Sequence, residues 1–180
     1  MYDYFPQRKN KIALFVVLAL TLLAAATFAA SAFLQPPART ILQAVGLLCI
    51  IPMLQIGARY LMTRYLYRLC TYEDGNVDIE VYAYRGGAKM QLVCRVGLEE
   101  ITAADPLTEE NRKPPRGMHR YNYAPDIRPE SGLVLSVTNG DGSCEVLLCP
   151  DEYLTGVLST PYTPPTPVAP EEAAEEGTEA

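Results

Sequence analysis

The chain has 180 residues, of which 49% are hydrophobic, and a formal net charge of −6. Residues 64–158 hold ten Lys and Arg against fifteen Asp and Glu. Because nucleic-acid affinity depends largely on cations that neutralise phosphates, this acidic balance argues against a nucleic-acid partner. About 100 residues follow the hydrophobic segments and precede the tail, which is enough for one small domain.

The first hydrophobic segment covers residues 12–34 and contains no charged side chain. At 1.5 Å per residue, a helix of this length crosses a hydrocarbon core of about 30 Å. The sequence therefore predicts a transmembrane helix here, preceded by a short segment, residues 1–11.

The second hydrophobic segment, residues 41–58, contains Gln43, Pro52 and Gln55. Together with the residues directly after it, this segment is predicted to form a transmembrane helix over residues 41–63. Residues 35–40 between the segments include two adjacent prolines, which we expect to end the first helix, and Thr40, which we expect to cap the second. A turn this short requires the two helices to be antiparallel, so the pattern predicts a transmembrane hairpin.

The basic residues near the segment ends predict the orientation of the hairpin. Three precede the first segment, only Arg39 lies in the turn, and Arg59, Arg64 and Arg68 follow the second segment. Positive residues favour the cytoplasmic side. We therefore expect a multi-pass protein of the inner (plasma) membrane, with both termini cytoplasmic and the turn extracytoplasmic. Tyr60, Tyr65 and Tyr67 are expected to form an interfacial aromatic belt.

The competing interpretation is a secretory signal peptide, because Ala30-Ser31-Ala32 resembles a cleavage site and bases precede the apolar run. Signal peptides have apolar cores of roughly 7–15 residues. The longer run in this chain, followed at once by a second apolar segment, favours the hairpin.

Small residues predict how the two helices pack. Ala25 and Ala29 are expected to face Ala44 and Gly46, because small side chains let helix backbones approach closely in lipid. Gln55 is a further candidate contact, within the hairpin or with another subunit. The interiors of both spans lack ionisable side chains, which argues against a transporter.

Residues 64–159 are predicted to form a small, mainly antiparallel β domain closed by a helix. Apolar and polar residues alternate at 77–84 and 90–96, with a preceding strand from about residue 67 and a weaker fourth strand at 98–104. A long Pro-rich loop follows at 105–131. A second hairpin is predicted at 132–137 and 144–148, and Asp151 is expected to cap a helix over 152–159.

Five short motifs accompany this order of elements: Tyr72-Glu73-Asp74-Gly75, Gly86-Gly87, Val93-Cys94-Arg95-Val96, Arg120-Tyr121-Asn122-Tyr123 with Pro129, and Pro150-Asp151. With these motifs the order of elements resembles a pleckstrin-homology-like domain, and with two leading spans it is similar to small bacterial membrane proteins that carry one. The resemblance implies an α+β membrane protein whose domain is an interaction or assembly module.

No catalytic, cofactor or metal site is predicted. The soluble cysteines Cys70, Cys94, Cys144 and Cys149 include no C-x₂-C pair, which structural zinc sites commonly have. His119 is the single histidine and lies in the Pro-rich loop. A Gly-rich phosphate loop is also missing from the sequence.

The most basic segment, residues 112–123, is a candidate contact for anionic lipid or a protein partner, because bases near a bilayer attract anionic headgroups. The alternative is a flexible loop whose bases balance Glu109, Glu110 and Asp126. The candidate contact residues are Arg112, Lys113, Arg116, Arg120, Tyr121 and Tyr123.

Residues 160–180 are predicted to be a disordered tail, in which Pro161, Pro164, Pro167 and Pro170 recur every third residue and all five charges are Glu. Taken together, the sequence predicts a non-enzymatic membrane-anchored interaction module. The alternative is an accessory subunit of a membrane complex that acts through its hairpin. The oligomeric state is left open.

We expect a reporter that is active only in the cytoplasm to be active when fused after residue 180. A reporter inserted beside Arg39 should instead be active only outside the membrane. Protease protection of intact spheroplasts checks the same assignment. A carboxyl-terminal reporter found outside the cell would contradict the hairpin orientation.

Overall fold

Two long apolar helices, α1 (Ile12–Ser31) and α2 (Pro36–Ile56), form an antiparallel pair, and a π-helical turn (Gly57–Met62) continues α2. The structure is a computed structural model that describes residues 1–72, 75–86, 89–140 and 142–161. Both helices are long and apolar enough to cross a membrane. Only 11% and 6% of their most apolar stretches are buried, unlike the core helix of a soluble protein.

The turn between the helices lies earlier than predicted. The helix α1 ends at Ser31, and Pro36 and Pro37 form the first turn of α2. Proline suits this position because its fixed φ is helical and the first helical N–H groups need no intrahelical acceptor. The two prolines therefore begin α2, and Thr40 lies inside it, where its hydroxyl donates to the Pro36 carbonyl at 3.1 Å.

The packing face of the hairpin is also rotated from the prediction. Ala24 and Ser31 of α1 and Gly46 of α2 are buried. A Cβ atom at Gly46 would lie 2.7 Å from the Thr27 hydroxyl oxygen, so the close approach depends on glycine. Ala25, Ala29 and Ala44 are exposed, because each helical residue is turned by about 100° from the one before it.

The two glutamines of the hairpin differ in their surroundings. The Gln43 amide lies 3.5 Å from the Ser31 hydroxyl, so it is paired across the hairpin. Gln55 is exposed near the end of α2, and its side chain has no hydrogen-bond partner within the described part of the chain. Gln55 therefore does not hold the two helices together.

A short strand before the hairpin, β1 (Tyr2–Tyr4), pairs antiparallel with β2 (Thr63–Thr71), which follows it. The backbone N–H groups of Lys9 and Asn10 also donate to the buried carboxylate of Asp126 at 3.1 and 3.3 Å. Residues 1–11, predicted as a separate segment, thus belong to the domain. The sequence pattern did not indicate this, because three residues are too few to show alternation.

The first sheet has the strand order β1-β2-β3-β4, where β3 is Val77–Arg85 and β4 is Gln91–Gly97. The predicted strands at 77–84 and 90–96 are confirmed. Two of the motifs that carry the resemblance, Tyr72-Glu73-Asp74-Gly75 and Gly86-Gly87, lie partly outside the described residues, as does the predicted disordered tail from residue 162 onward.

The second sheet has the order β5-β7-β8-β6. The predicted hairpin is confirmed as β7 (Leu133–Asn139) and β8 (Gly142–Leu148), although Asp141 in its turn is not described. The predicted fourth strand is a 3₁₀ turn (Leu98–Glu100) followed by β5 (Ile101–Pro106). The predicted long loop contains an unexpected strand, β6 (His119–Asn122), which pairs parallel with β8.

The closing helix α3 (Glu152–Ser159) is confirmed, and the Asp151 carboxylate accepts the Leu154 N–H at 3.0 Å as predicted for a cap. Leu154 and Leu158 are buried in the core formed by the two sheets. Tyr65 and Tyr67, predicted at the membrane interface, lie in this core as well. They occupy inward-facing positions of β2 and therefore do not belong to an interfacial belt, whereas Tyr60 lies half-buried on the π-helical turn before β2.

A row of alternating charges crosses the first sheet, with Asp3, Arg68, Glu80 and Arg95 in register on four successive strands. The Arg68 guanidinium contacts the Asp3 carboxylate at 2.7 Å, and this hydrogen bond lowers the pKa of Asp3. Burial alone would raise the pKa of Glu80, but hydrogen bonds from Tyr82, Cys70 and Tyr72 keep it below its ordinary value. The row therefore stays ionised at neutral pH and ties β1 to the sheet.

We expect Gly46→Leu to destabilise the detergent-solubilised protein by about 1–3 kcal/mol, because the new side chain overlaps Thr27 and Phe28. Ala44→Leu is the matched control at an exposed position two residues away and should change stability by less than about 0.5 kcal/mol. Thermal unfolding of both variants measures the difference. Equal effects would contradict the packing face described above.

Candidate functional site at the base of the domain

A cleft of about 640 Å³ opens where the domain meets the hairpin. Its walls are the end of β3, the start of β4 and the strand β6, and its floor is the start of β2. We call it the basal cleft and define it by eight of its lining side chains. These are Arg59, Tyr65, Tyr84, Arg85, Lys89, His119, Tyr121 and Tyr123.

Two arginines of the basal cleft are fixed by bonds at the helix–sheet junction. Arg59, on the π-helical turn, donates from Nη2 to the Asn122 carbonyl at 2.8 Å and so links the hairpin to β6. Arg85, at the end of β3, donates from Nε to the Thr63 hydroxyl at 3.0 Å, and that hydroxyl donates to the Ala58 carbonyl at 2.9 Å. Their cationic groups are therefore held in place before any ligand binds.

Tyrosines form the apolar wall of the basal cleft. The rings of Tyr65 and Tyr123 meet edge to face with centroids 5.9 Å apart. The Tyr123 hydroxyl donates to the Val93 carbonyl at 3.1 Å, which joins the two sheets across the cleft. Burial raises the pKa of both Tyr65 and Tyr123. Their hydroxyls consequently remain protonated at neutral pH.

Positive charge is concentrated in the basal cleft. Arg59, Arg85 and Lys89 line it, while none of the described residues lining it is Asp or Glu. Arg120 also lines it, but its guanidinium pairs with Glu145 at 2.6 Å, and both side chains are less than 9% exposed. Three cations thus face the cleft without a carboxylate among its described lining residues.

The structure divides the predicted basic segment into two parts. Arg120, Tyr121 and Tyr123 line the basal cleft, whereas Arg112, Lys113 and Arg116 lie outside it. Arg112 pairs with Glu109 at 2.8 Å, as the balanced-loop alternative anticipated, and Lys113 and Arg116 are exposed.

Arg59, Arg85 and Lys89 were missed as site residues because they come from three separate segments of the sequence. In the sequence Arg59 serves as an orientation signal, and no local pattern marks Arg85 or Lys89 as binding residues. Their convergence depends on the pairing of β2, β3 and β4, which no local spacing shows.

The cysteines are dispersed through the fold. Over the described residues there is no group of three or more His, Cys, Asp or Glu side chains able to hold a metal ion. Burial raises the pKa of Cys149 to about 12 and also raises that of Cys94. These two thiols are therefore protonated at neutral pH and are weak nucleophiles.

Comparisons with protein-family models, curated proteins and solved structures give no match to this chain. The pleckstrin-homology-like resemblance therefore stays a prediction.

We expect Glu145→Gln to destabilise the protein by about 3–5 kcal/mol, because it leaves the buried Arg120 guanidinium without a counter-charge. Glu109→Gln removes an exposed partner of Arg112 and should have little effect. The double variant Arg120→Met/Glu145→Leu should recover most of the lost stability, since no charge is then buried. Urea unfolding measures the free energy of unfolding of all three variants. Equal losses of this free energy in the two single variants would contradict the prediction.

Proposed function

We propose that this chain is a non-enzymatic, membrane-anchored interaction module that presents its β domain at the cytoplasmic face of a bacterial plasma membrane. One observation carries the proposal: the strand before the hairpin and the strand after it are neighbours in one sheet. Both ends of the hairpin therefore return to the same domain, which is held at the helix ends by two connections.

The exposed apolar surface of the hairpin supports membrane insertion. Phe15 and Leu22 of α1 and Ile41 and Leu48 of α2 are each at least 66% exposed. Apolar patches of this extent are unfavourable in water and mark membrane or partner surfaces. The length of α1, about 30 Å, matches the hydrocarbon core of a bilayer.

The contacts of the first residues argue against a cleaved signal peptide. Cleavage after Ala32 would remove β1 together with the Asp3–Arg68 ion pair and the hydrogen bond from Tyr2 to Asp151. It would also leave the buried Asp126 carboxylate without the N–H groups of Lys9 and Asn10. Retention of residues 1–32 keeps these bonds, which supports a topology with residues 1–11 and the domain on the same side of the membrane.

The chemistry of the basal cleft suits binding. Arginine guanidinium groups are charged at all physiological pH values and cannot act as general bases. The phenols of Tyr65 and Tyr123 have raised pKa values because they are buried. The cleft therefore offers fixed positive charge and hydrogen-bond donors, which match an anionic ligand.

The second candidate function, an accessory subunit acting through its hairpin, is favoured by the outward-facing small residues. Ala25, Ala29 and Ala44 are exposed on the hairpin surface. Small residues are typical of helix–helix contacts in lipid, so a helix of another subunit would find a close-packing surface there.

Exchange of the hairpin for an unrelated two-helix anchor of equal length discriminates the two functions. We expect the exchanged chain, with residues 1–11 and the whole domain intact, to be cross-linked in intact membranes to the same proteins as the native chain. The domain should also keep its native unfolding temperature. Loss of every cross-linked partner from a correctly folded exchanged chain would contradict the module and support the accessory subunit.

A further inference from the structure

We propose that the basal cleft binds the phosphate headgroup of an anionic lipid from the bilayer that holds the hairpin. This inference rests on the proposed membrane anchorage and adds a ligand class and a site to it. The residues assigned to phosphate binding are Arg59, Arg85 and Lys89.

The position of Arg59 along its helix puts the cleft at the level of the headgroups. At 1.5 Å per residue, Arg59 lies about 35 Å along the helix from Pro36, where α2 begins. The hydrocarbon core is about 30 Å thick. An arginine at this distance therefore emerges just beyond the hydrocarbon, where lipid phosphates are found.

The charges of the cleft select an anion. Its three cations are Arg59 on the π-helical turn, Arg85 at the end of β3 and Lys89, two residues before β4, and no described lining residue is acidic. Elsewhere the domain neutralises its arginines in pairs such as Arg68–Asp3 and Arg120–Glu145. The cleft is thus a cationic region within a domain whose overall balance is acidic.

The cleft arginines retain hydrogen-bonding capacity for a ligand. A guanidinium group has five N–H donors. Arg59 uses one for the Asn122 carbonyl, and Arg85 uses one for the Thr63 hydroxyl. These bonds fix the side chains, and the remaining donors suit the several oxygens of a phosphate.

The size and rim of the cleft fit a lipid better than a free ion. A volume of about 640 Å³ is in the usual range for small-molecule sites and leaves room for glycerol beside the phosphate. Tyr121, which lines the cleft, is 46% exposed. Met62 and Met90, which are sequence neighbours of the lining residues Thr63 and Lys89, are 63% and 50% exposed. An amphipathic ligand is complementary to cations and apolar groups placed together. An acidic peptide would match the charge, but its binding would not require a position at the membrane surface.

Lipid retention by the full-length chain tests the proposal. The native protein is extracted in a neutral detergent, given equal amounts of phosphatidylglycerol and phosphatidylcholine, and examined by native mass spectrometry. We expect one phosphatidylglycerol to be retained in preference to phosphatidylcholine. Arg85→Gln/Lys89→Gln should weaken that binding about 25-fold, at about 5-fold for each base.

A control variant that loses the same number of positive charges distinguishes lipid binding in the cleft from non-specific electrostatic attraction to the whole domain. Lys113→Gln/Arg116→Gln removes two exposed bases that lie outside the cleft, and its affinity should stay within about 2-fold of the native value. Lys89→Gln alone provides a second cleft variant should the double change disturb folding, because Lys89 is exposed. Circular dichroism verifies the fold of each variant.

A fluorescence reporter locates the bound lipid. Because the chain contains no tryptophan, Tyr121→Trp creates a single reporter at the cleft. Its emission should shift saturably as phosphatidylglycerol is added, whereas that of Tyr153→Trp, on α3, should not.

Three results would overturn the lipid site. The first is equal retention of the two lipids, and the second is an equal loss of affinity in the cleft and loop variants. The third is displacement of bound lipid by inorganic phosphate or by an acidic peptide at concentrations similar to that of the lipid. If the reporters at Arg39 and residue 180 still show a cytoplasmic domain, these results would refute only the lipid site. Reporters that place the domain outside would refute the proposed function itself.

Discussion

The pairing of β1 with β2 is the constraint on which the rest of the structure depends. It closes a loop of chain that leaves the sheet after Tyr4, runs through both apolar helices and returns to the sheet at Thr63. Asp3 and Arg68 fix the register of this pairing, and the hydrogen bond from Tyr2 to Asp151 connects β1 to the start of the closing helix. Because the paired strands flank the hairpin, the helix ends are fixed beside the domain, and the domain cannot separate from the hairpin without breaking sheet bonds.

The junction between the hairpin and β2 determines the geometry of the basal cleft. The helix passes directly into β2 through the π-helical turn, and the buried Thr63 bonds both to the Ala58 carbonyl and to Arg85. On the other side of the cleft, Arg59 is bonded to Asn122 of β6. The cations are therefore oriented relative to the hairpin as well as to one another. A site built on this junction faces whatever surrounds the helix ends, which gives a physical reason for linking its ligand to the membrane.

The distribution of ion pairs explains why an acidic domain contains a cationic cleft. Arg68, Arg95, Arg112 and Arg120 each pair with a carboxylate. Two of the four bases in the predicted basic segment, Arg112 and Arg120, are thereby neutralised within the fold. The basal cleft differs. Arg59, Arg85 and Lys89 line it, and none of its described lining residues is Asp or Glu. A count of bases along the sequence favours residues 112–123 as the binding surface, because it gives the same weight to a base that is paired with a carboxylate and to one that faces the cleft.

The sequence by itself determined the elements whose signals are local. Two long apolar segments predict α1 and α2, alternation predicts β3, β4, β7 and β8, and Asp151 before an apolar stripe predicts α3. Only the tertiary structure decided the short strands β1 and β6, the burial of Tyr65 and Tyr67, and the meeting of Arg59, Arg85 and Lys89. A strand of three or four residues has no period to detect, and it is stabilised by partners distant in the sequence. The cleft likewise depends on the register between strands and on the angle at which the helix enters the sheet, and neither is encoded in the spacing of neighbouring residues.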